Sequence, residues 1–135
     1  MLKVDLGILI ALLLTDGSVS KNNYSYSIEL TGKSVELHNL FKEKLGRLFC
    51  INRFVETCDS RHKEIKRTIV RNKSVAEQLL SYTSYRTKQF DNGEFPNSKI
   101  PDFIFKLSDI EVSKVLQAMF SCDGSISLWT VWNKR

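Results

Sequence analysis

Residues 9–20 read LIALLLTDGSVS and residues 116–127 read LQAMFSCDGSIS, and the match between these two stretches decides the fold. Aligned without a gap, they share Leu9/Leu116, Ala11/Ala118, Asp16/Asp123, Gly17/Gly124, Ser18/Ser125 and Ser20/Ser127. Leu13/Phe120 and Val19/Ile126 keep apolar character. A repeat at this long spacing points to duplicated domain-sized units rather than a short-period solenoid. Each copy reads as a helix that stops at Asp-Gly. In the second copy Val112, Val115, Leu116, Met119 and Phe120 recur with the period of one helix face. Ser108, with Glu111 three residues later, is a capping-box signal for its start. Gly124 suits the left-handed residue just past a helix end. The first copy is apolar nearly all round, as in a helix buried on most sides.

Outward from the two copies the pattern alternates between strand and helix. Tyr24, Tyr26, Ile28 and Leu30 interleave with Ser25, Ser27 and Glu29, the signature of a half-buried strand. Ser34 caps a helix that carries Val35, Leu37, Leu40, Phe41, Leu45 and Leu48 on one face. Residues 51–57 and 64–71 read as a hairpin around Cys58-Asp59-Ser60, and Ser74 begins a short helix with Val75, Leu79 and Leu80. Residues 84–96 are polar, contain Asn92-Gly93, and connect into the second copy. The expected architecture is α+β: helix, two strands, helix, two strands, helix, with the first hairpin over residues 19–30. Residues 1–95 form one repeat and residues 96–135 begin a second. After Gly124 only residues 125–135 follow, room for one strand.

Composition narrows the function classes. The 135 residues are 42% hydrophobic and 26% charged, ordinary for a globular domain. Six Gly and two Pro argue against low complexity. Twenty basic against fifteen acidic residues give a net charge of +5, which favours a polyanionic partner without naming one. Cys50, Cys58 and Cys122 are odd in number and contain no C-x-x-C pair, which argues against a disulfide framework and for a reducing, intracellular compartment. Cys58 and His62 stand four apart, but no second pair completes a zinc site, and thiols packed as small apolar groups are the simpler reading. The apolar N-terminal run resembles a signal peptide. Its unbroken part, Leu6 to Leu14, is too short to span a bilayer, and Asp5 interrupts it early. The internal second copy needs another explanation altogether, so neither a signal peptide nor a membrane span is expected.

Two acidic residues at the C-terminal ends of two helices make a physical motif. A helix C-terminus presents unsatisfied carbonyl oxygens and the negative end of the dipole, which favour a cation. A carboxylate there adds a hard oxygen ligand suited to Mg²⁺. If the helices pack side by side, with Ala11 and Ala118 at the seam, Asp16 and Asp123 come together at one end. Paired carboxylates can hold metal ions over scissile phosphates.

The residues 9–17 (LIALLLTDG) and 116–124 (LQAMFSCDG) resemble the nine-residue motif of the LAGLIDADG homing endonucleases. The phrase Lys99-Ile100-Pro101-Asp102-Phe103-Ile104 also looks like the approach to the second motif in archaeal and intein-type members. The resemblance implies αββαββ repeats with an antiparallel saddle-shaped sheet in the DNA major groove. It implies two or three Mg²⁺ ions at the helix ends, held by Asp16 and Asp123. The polar strand residues Ser18, Ser20, Lys21, Asn23, Ser25, Ser27 and Glu29 would face double-stranded DNA. Arg53, Lys63, Lys66, Arg67 and Arg71 would supply phosphate and guanine contacts. A basic residue near the end of a repeat's last strand assists catalysis in many members, and Arg71 and Lys73 both match that place. The second repeat departs from the pattern in ending one strand after its motif. Whether one chain or a homodimer completes the saddle stays open.

Each signal has a plainer reading. Asp-Gly is an ordinary helix stop, the basic stretch 63–71 a sheet edge protected by charge, and Tyr24, Tyr26, Phe49, Phe54, Trp129 and Trp132 core packing rather than base-stacking surfaces. Three functions follow: a site-specific, metal-dependent double-strand DNA endonuclease; a degenerate module that binds DNA or intron RNA without cutting; or an unrelated small α/β protein. Metal-dependent cleavage separates the first two, and salt-dependent DNA binding separates both from the third.

Overall fold

Every residue from Asp5 to Leu13 is buried in the first helix, α1 (Lys3–Asp16). The rest of the fold wraps this helix. The computed structural model describes residues 3–22, 25–85 and 99–122. The chain continues as β1 (Gly17–Asn22), β2 (Ser25–Gly32), α2 (Val35–Phe49), β3 (Val55–Cys58), β4 (Lys66–Val70), α3 (Lys73–Tyr82), α4 (Asp102–Phe105) and α5 (Asp109–Cys122). This is the expected α+β order with one short helix, α4, added. The strands form an antiparallel sheet in the order β1-β2-β4-β3.

The helix starts follow their caps. The Leu37 amide donates to the Ser34 hydroxyl at 3.2 Å, as expected at the start of α2. At α5 the capping box forms in both directions: the Glu111 amide donates to Ser108 Oγ at 3.3 Å, and the Ser108 amide donates to Glu111 Oε1 at 3.2 Å. The third helix begins earlier than Ser74. Asn72 is its cap, accepting from the Val75 amide at 3.1 Å. An Asx side chain fills the role that the sequence reading gave to a hydroxyl. The hairpin β3–β4 forms with strands shorter than the apolar runs, and Cys58 pairs with Lys66 across the connecting loop. The expected connection over residues 84–96 lies outside the described residues beyond Tyr85.

The register sorts the sheet into two faces, because side chains alternate along a strand and cross-strand partners share a face. Val19, Ile28 and Val70 form one row and Leu30 with Thr68 the next, all turned to the core. Val75, Ala76 and Leu79 of α3 join the same core, as do Phe41 and Leu45 of α2. Asp5 also sits inside. Its Oδ1 accepts from Lys44 Nζ of α2 at 2.6 Å, with both side chains less than a tenth exposed.

Helices α1 and α5 pack against each other. Ala11 and Ala118 are both buried in the core. The close approach is at Gly7, where an added Cβ would meet Val115 Cγ2 at 3.0 Å and Ile104 Cγ1 at 3.6 Å. Farther along, Asp16 and Ser121 line one cavity. Both contacts join like ends, so α1 and α5 run parallel.

Candidate functional site

Asp16 is the last residue of α1, half-buried, at the point where the chain enters β1. The following Gly17 pairs with Leu30, so Asp16 lies beside the closing end of β2. A Cβ on Gly32 would stand 3.7 Å from Asp16 Oδ2. The carboxylate borders a cavity of about 290 Å³ whose other walls include Thr31, Gly32, Lys33, His38 and Ser121. Ser121 brings the C-terminal end of α5 to this cavity, and Asp123, two residues on in sequence, lies outside the described residues.

The cavity wall is held from behind by a buried imidazole. His38 Nε2 meets the Gly32 carbonyl at 3.0 Å, and Nδ1 meets Thr68 Oγ1 at 2.7 Å. A carbonyl only accepts, so Nε2 carries the proton and Nδ1 accepts from the Thr68 hydroxyl. This ties α2 to the strand ends beside Asp16. The sequence offered no sign of it beyond a histidine on an otherwise apolar helix face.

A metal at Asp16 is chemically reasonable. The carboxylate, the hydroxyls of Thr31, Ser34 and Ser121, and nearby backbone carbonyls are hard oxygen donors. One or two carboxylates suffice for Mg²⁺, which keeps much of its water and completes its shell with substrate phosphate. Among the described residues no group of three or more His, Cys, Asp or Glu stands together, at Asp16 or around Cys58 and His62. The thiols of Cys50 and Cys58 are exposed and free rather than packed in the core.

The second feature is the sheet face turned away from the helices. The register puts Ser18, Ser20, Ser25, Ser27, Glu29 and Thr31 on it from β1 and β2, and Arg67 and Thr57 from β4 and β3. Ser20 Oγ and Ser27 Oγ lie 2.9 Å apart across the strands. Ile69, between its partners Glu29 and Val55, is 6% exposed. The face is therefore mainly hydroxyl, with charge at Glu29 and Arg67.

Several residues depart from the expected grouping. Lys21 pairs with Tyr26 on the opposite side of the sheet, its Nζ 5.6 Å from the Tyr26 ring centroid. Alternation forces this, since Ser20 and Lys21 cannot share a face. Lys66 likewise falls on the side opposite Arg67. Arg53 and Lys63 are exposed in the segments flanking β3 and before β4, and Asn23 lies outside the described residues.

Arg71 and Lys73 are not brought to Asp16. Antiparallel pairing carries β4 from Lys66, opposite Gly32, to Val70, opposite Ile28. Arg71 is therefore roughly 14 Å along the strands from the level of Asp16. Lys73 Nζ lies 5.9 Å from the Tyr26 ring, at that same far end. The lysine lining the Asp16 cavity is instead Lys33, whose Nζ is 3.8 Å from Glu64 Oε1. The signal was available, a lysine immediately before the Ser34 cap, but only the closure of β2 onto α1 gives it meaning.

No helix among the described residues is long and apolar enough to cross a membrane. No curated protein matches the chain. A family model described as a LAGLIDADG-like domain matches residues 3–83, well over half of the 135 residues, from the start of α1 to the end of α3. With the helix that ends in Asp16-Gly17, the four-stranded antiparallel sheet it feeds, and this match, the chain belongs to the LAGLIDADG family, whose members are DNA-binding homing endonucleases and maturases.

Proposed function

We propose that the chain is a site-specific double-strand DNA homing endonuclease that hydrolyses phosphodiester bonds with Mg²⁺ at Asp16 and Asp123. The observation that carries this reading is the placement of the Asp16 carboxylate at one end of the hydroxyl-lined sheet face. A duplex lying along that face brings its backbone to the cavity, and the major groove is wide enough to admit a two-stranded ribbon. Asp16 supplies a charged oxygen ligand, and Thr31, Ser34 and Ser121 also line the cavity. Bound there, Mg²⁺ would acidify water and offset charge on the scissile phosphate. Lys33 adds a cation at the cavity rim. His38 holds the Gly32 carbonyl and so fixes the wall facing Asp16. Arg71, at the far end of the sheet, suits a contact to a flanking phosphate.

A second reading has one observation in its favour: Asp16 is the single carboxylate lining the cavity among the described residues. A LAGLIDADG module that binds DNA, or intron RNA, without cutting needs no second acid. One experiment separates the two. Duplexes captured from a randomised pool are incubated with the protein and Mg²⁺, and with Asp16→Asn and Asp123→Asn. The expected result is wild-type cleavage, lost in each variant while binding persists, because Asn keeps the size but not the charge. Cleavage that survives both substitutions refutes the assignment. Binding without wild-type cleavage at any Mg²⁺ concentration establishes the second reading instead.

A further inference from the structure

We propose that Arg67 and Glu29 act as a base-reading pair, taking a guanine and a cytosine edge in the major groove. The inference rests on the sheet face as the DNA-binding surface, and it adds which two side chains read sequence there.

Several other charged groups placed by the structure have partners: Lys42 with Glu56, Lys44 and Arg47 with Asp5, Lys33 and His62 with Glu64. Asp59, beside Arg67, is occupied as well, its Oδ1 accepting from the Arg61 amide at 2.7 Å and the His62 amide at 3.2 Å. Among the described residues the side chains of Arg67 and Glu29 form neither a hydrogen bond nor an ion pair. They are also the two charged side chains on that face of the four strands.

Their surroundings are ordered. Arg67 pairs with Thr31 on one side and Thr57 on the other, and these three border a cavity of about 200 Å³ on the open face. Two β-branched neighbours, stiff at χ1, flank the stem of the arginine on the open face. Glu29 sits diagonally across, one pair farther along β2, which puts the two Cβ atoms roughly 7–8 Å apart.

Charge then chooses between backbone and base. A carboxylate facing a duplex is repelled by phosphates, so Glu29 in the middle of this face is misplaced for backbone contact. It is well placed to accept from the amino group of cytosine. The arginine fork presents two parallel donors that match O6 and N7 of guanine. Cβ atoms at this spacing cover about two base-pair steps of roughly 3.4 Å, and side-chain reach adds about one more.

The test is selection of duplexes from a pool with a randomised core by the wild-type protein, Arg67→Lys, Arg67→Ala and Glu29→Gln, with affinities read against salt. Arg67→Lys keeps the charge and loses the fork. It should abolish a guanine preference of roughly tenfold or more at one position and leave the salt dependence unchanged. Glu29→Gln should relax a cytosine preference no more than about three base pairs away, without weakening binding overall. Unchanged preferences in both variants overturn the proposal. So does an Arg67→Ala protein that binds all sequences equally more weakly with a shallower salt slope, since that is a phosphate contact. So do affected positions far apart on the duplex. A wild-type protein that binds no duplex overturns the DNA-binding reading itself, whereas binding with unaltered preferences overturns only the base-reading pair.

Discussion

Replacing Gly17 by alanine adds one methyl group where three atoms already stand. A Cβ there would lie 2.6 Å from the Glu29 carbonyl oxygen, 2.7 Å from Leu13 Cδ2 and 2.8 Å from Leu13 Cα. Two of the three are backbone, one in β2 and one in α1, so no rotamer change relieves them. Overpacking usually costs about 1–3 kcal/mol, and with backbone on both sides the upper end applies, about 3 kcal/mol. Alanine also stiffens the unfolded chain, which returns roughly 0.4–1 kcal/mol. With an unfolding entropy of about 2.1 cal/mol/K per residue, the net loss lowers Tm by about 7–10 °C. Gly46→Ala is the control. The same methyl group, inside α2, would meet only the Ile51 carbonyl oxygen at 3.4 Å, an ordinary contact. Glycine in a helix interior costs about 0.5–1 kcal/mol relative to alanine, so this variant should melt with the wild type or up to about 3 °C higher. Thermal unfolding followed by far-UV circular dichroism measures both. A Gly17→Ala protein that melts with the wild type, or a Gly46→Ala protein that falls as far, refutes the steric argument.

Two further predictions concern ion pairs. Asp5→Ala takes from the buried Lys44 ammonium its close partner, leaving the exposed Glu43 carboxylate at 3.8 Å as a poor substitute, and should cost about 3–5 kcal/mol in urea unfolding. Asp5→Leu with Lys44→Met removes both charges and should restore most of that loss; a double variant no better than the single one means the pair was not the cause. At the surface, the hydrogen bond and charge of Lys42 hold the Glu56 carboxyl below its ordinary value of 4.5. A depressed carboxylate contributes stability above its unfolded value and loses it as pH falls through its folded one. Wild-type and Lys42→Met proteins should therefore differ slightly in Tm at neutral pH and converge on acidification below 4.5, the difference being small because solvent screens the pair. A gap that widens toward low pH contradicts this.

Local rules carried most of the fold. The Ser34 cap, the Ser108–Glu111 box and the alternation over 25–30 each depend on residues within four or five positions, and each formed as the sequence implied; α5 formed too, but of its expected face Leu116 and Phe120 are exposed among the described residues. The start of α3 did not form as implied, because an asparagine and a serine both cap helices, and only the end of β4 decides which is in place. The glycine of the first Asp-Gly was legible as a requirement but not for its reason. A left-handed residue is the usual explanation after a helix, yet Gly17 opens a strand and is needed for the close approach of Glu29 and Leu13. Among the described residues the left-handed non-glycine position falls at Cys50, which ends α2 with φ 57° and which nothing in its sequence context announced.

The site was legible where the chain is continuous and obscure where distant segments meet. Asp16 followed from the motif, and the serines of β1 and β2 fell together because alternation is a local property. Lys33 and His38 did not, since their relation to Asp16 is made by β2 closing onto α1, a contact no periodicity encodes. The same limit shows in the repeat. Leu9 and Leu13 are fully buried, whereas their counterparts Leu116 and Phe120 are 41% and 39% exposed among the described residues. The pattern of apolar residues states which side of a helix seeks cover. How much cover it receives depends on the layers around it: among the described residues α1 has the sheet, α2 and α5 against it, while α5 packs chiefly on α1. At the Asp16 end, the closing of β2 onto α1 and the His38 clamp on Gly32 are what bring the cavity residues together.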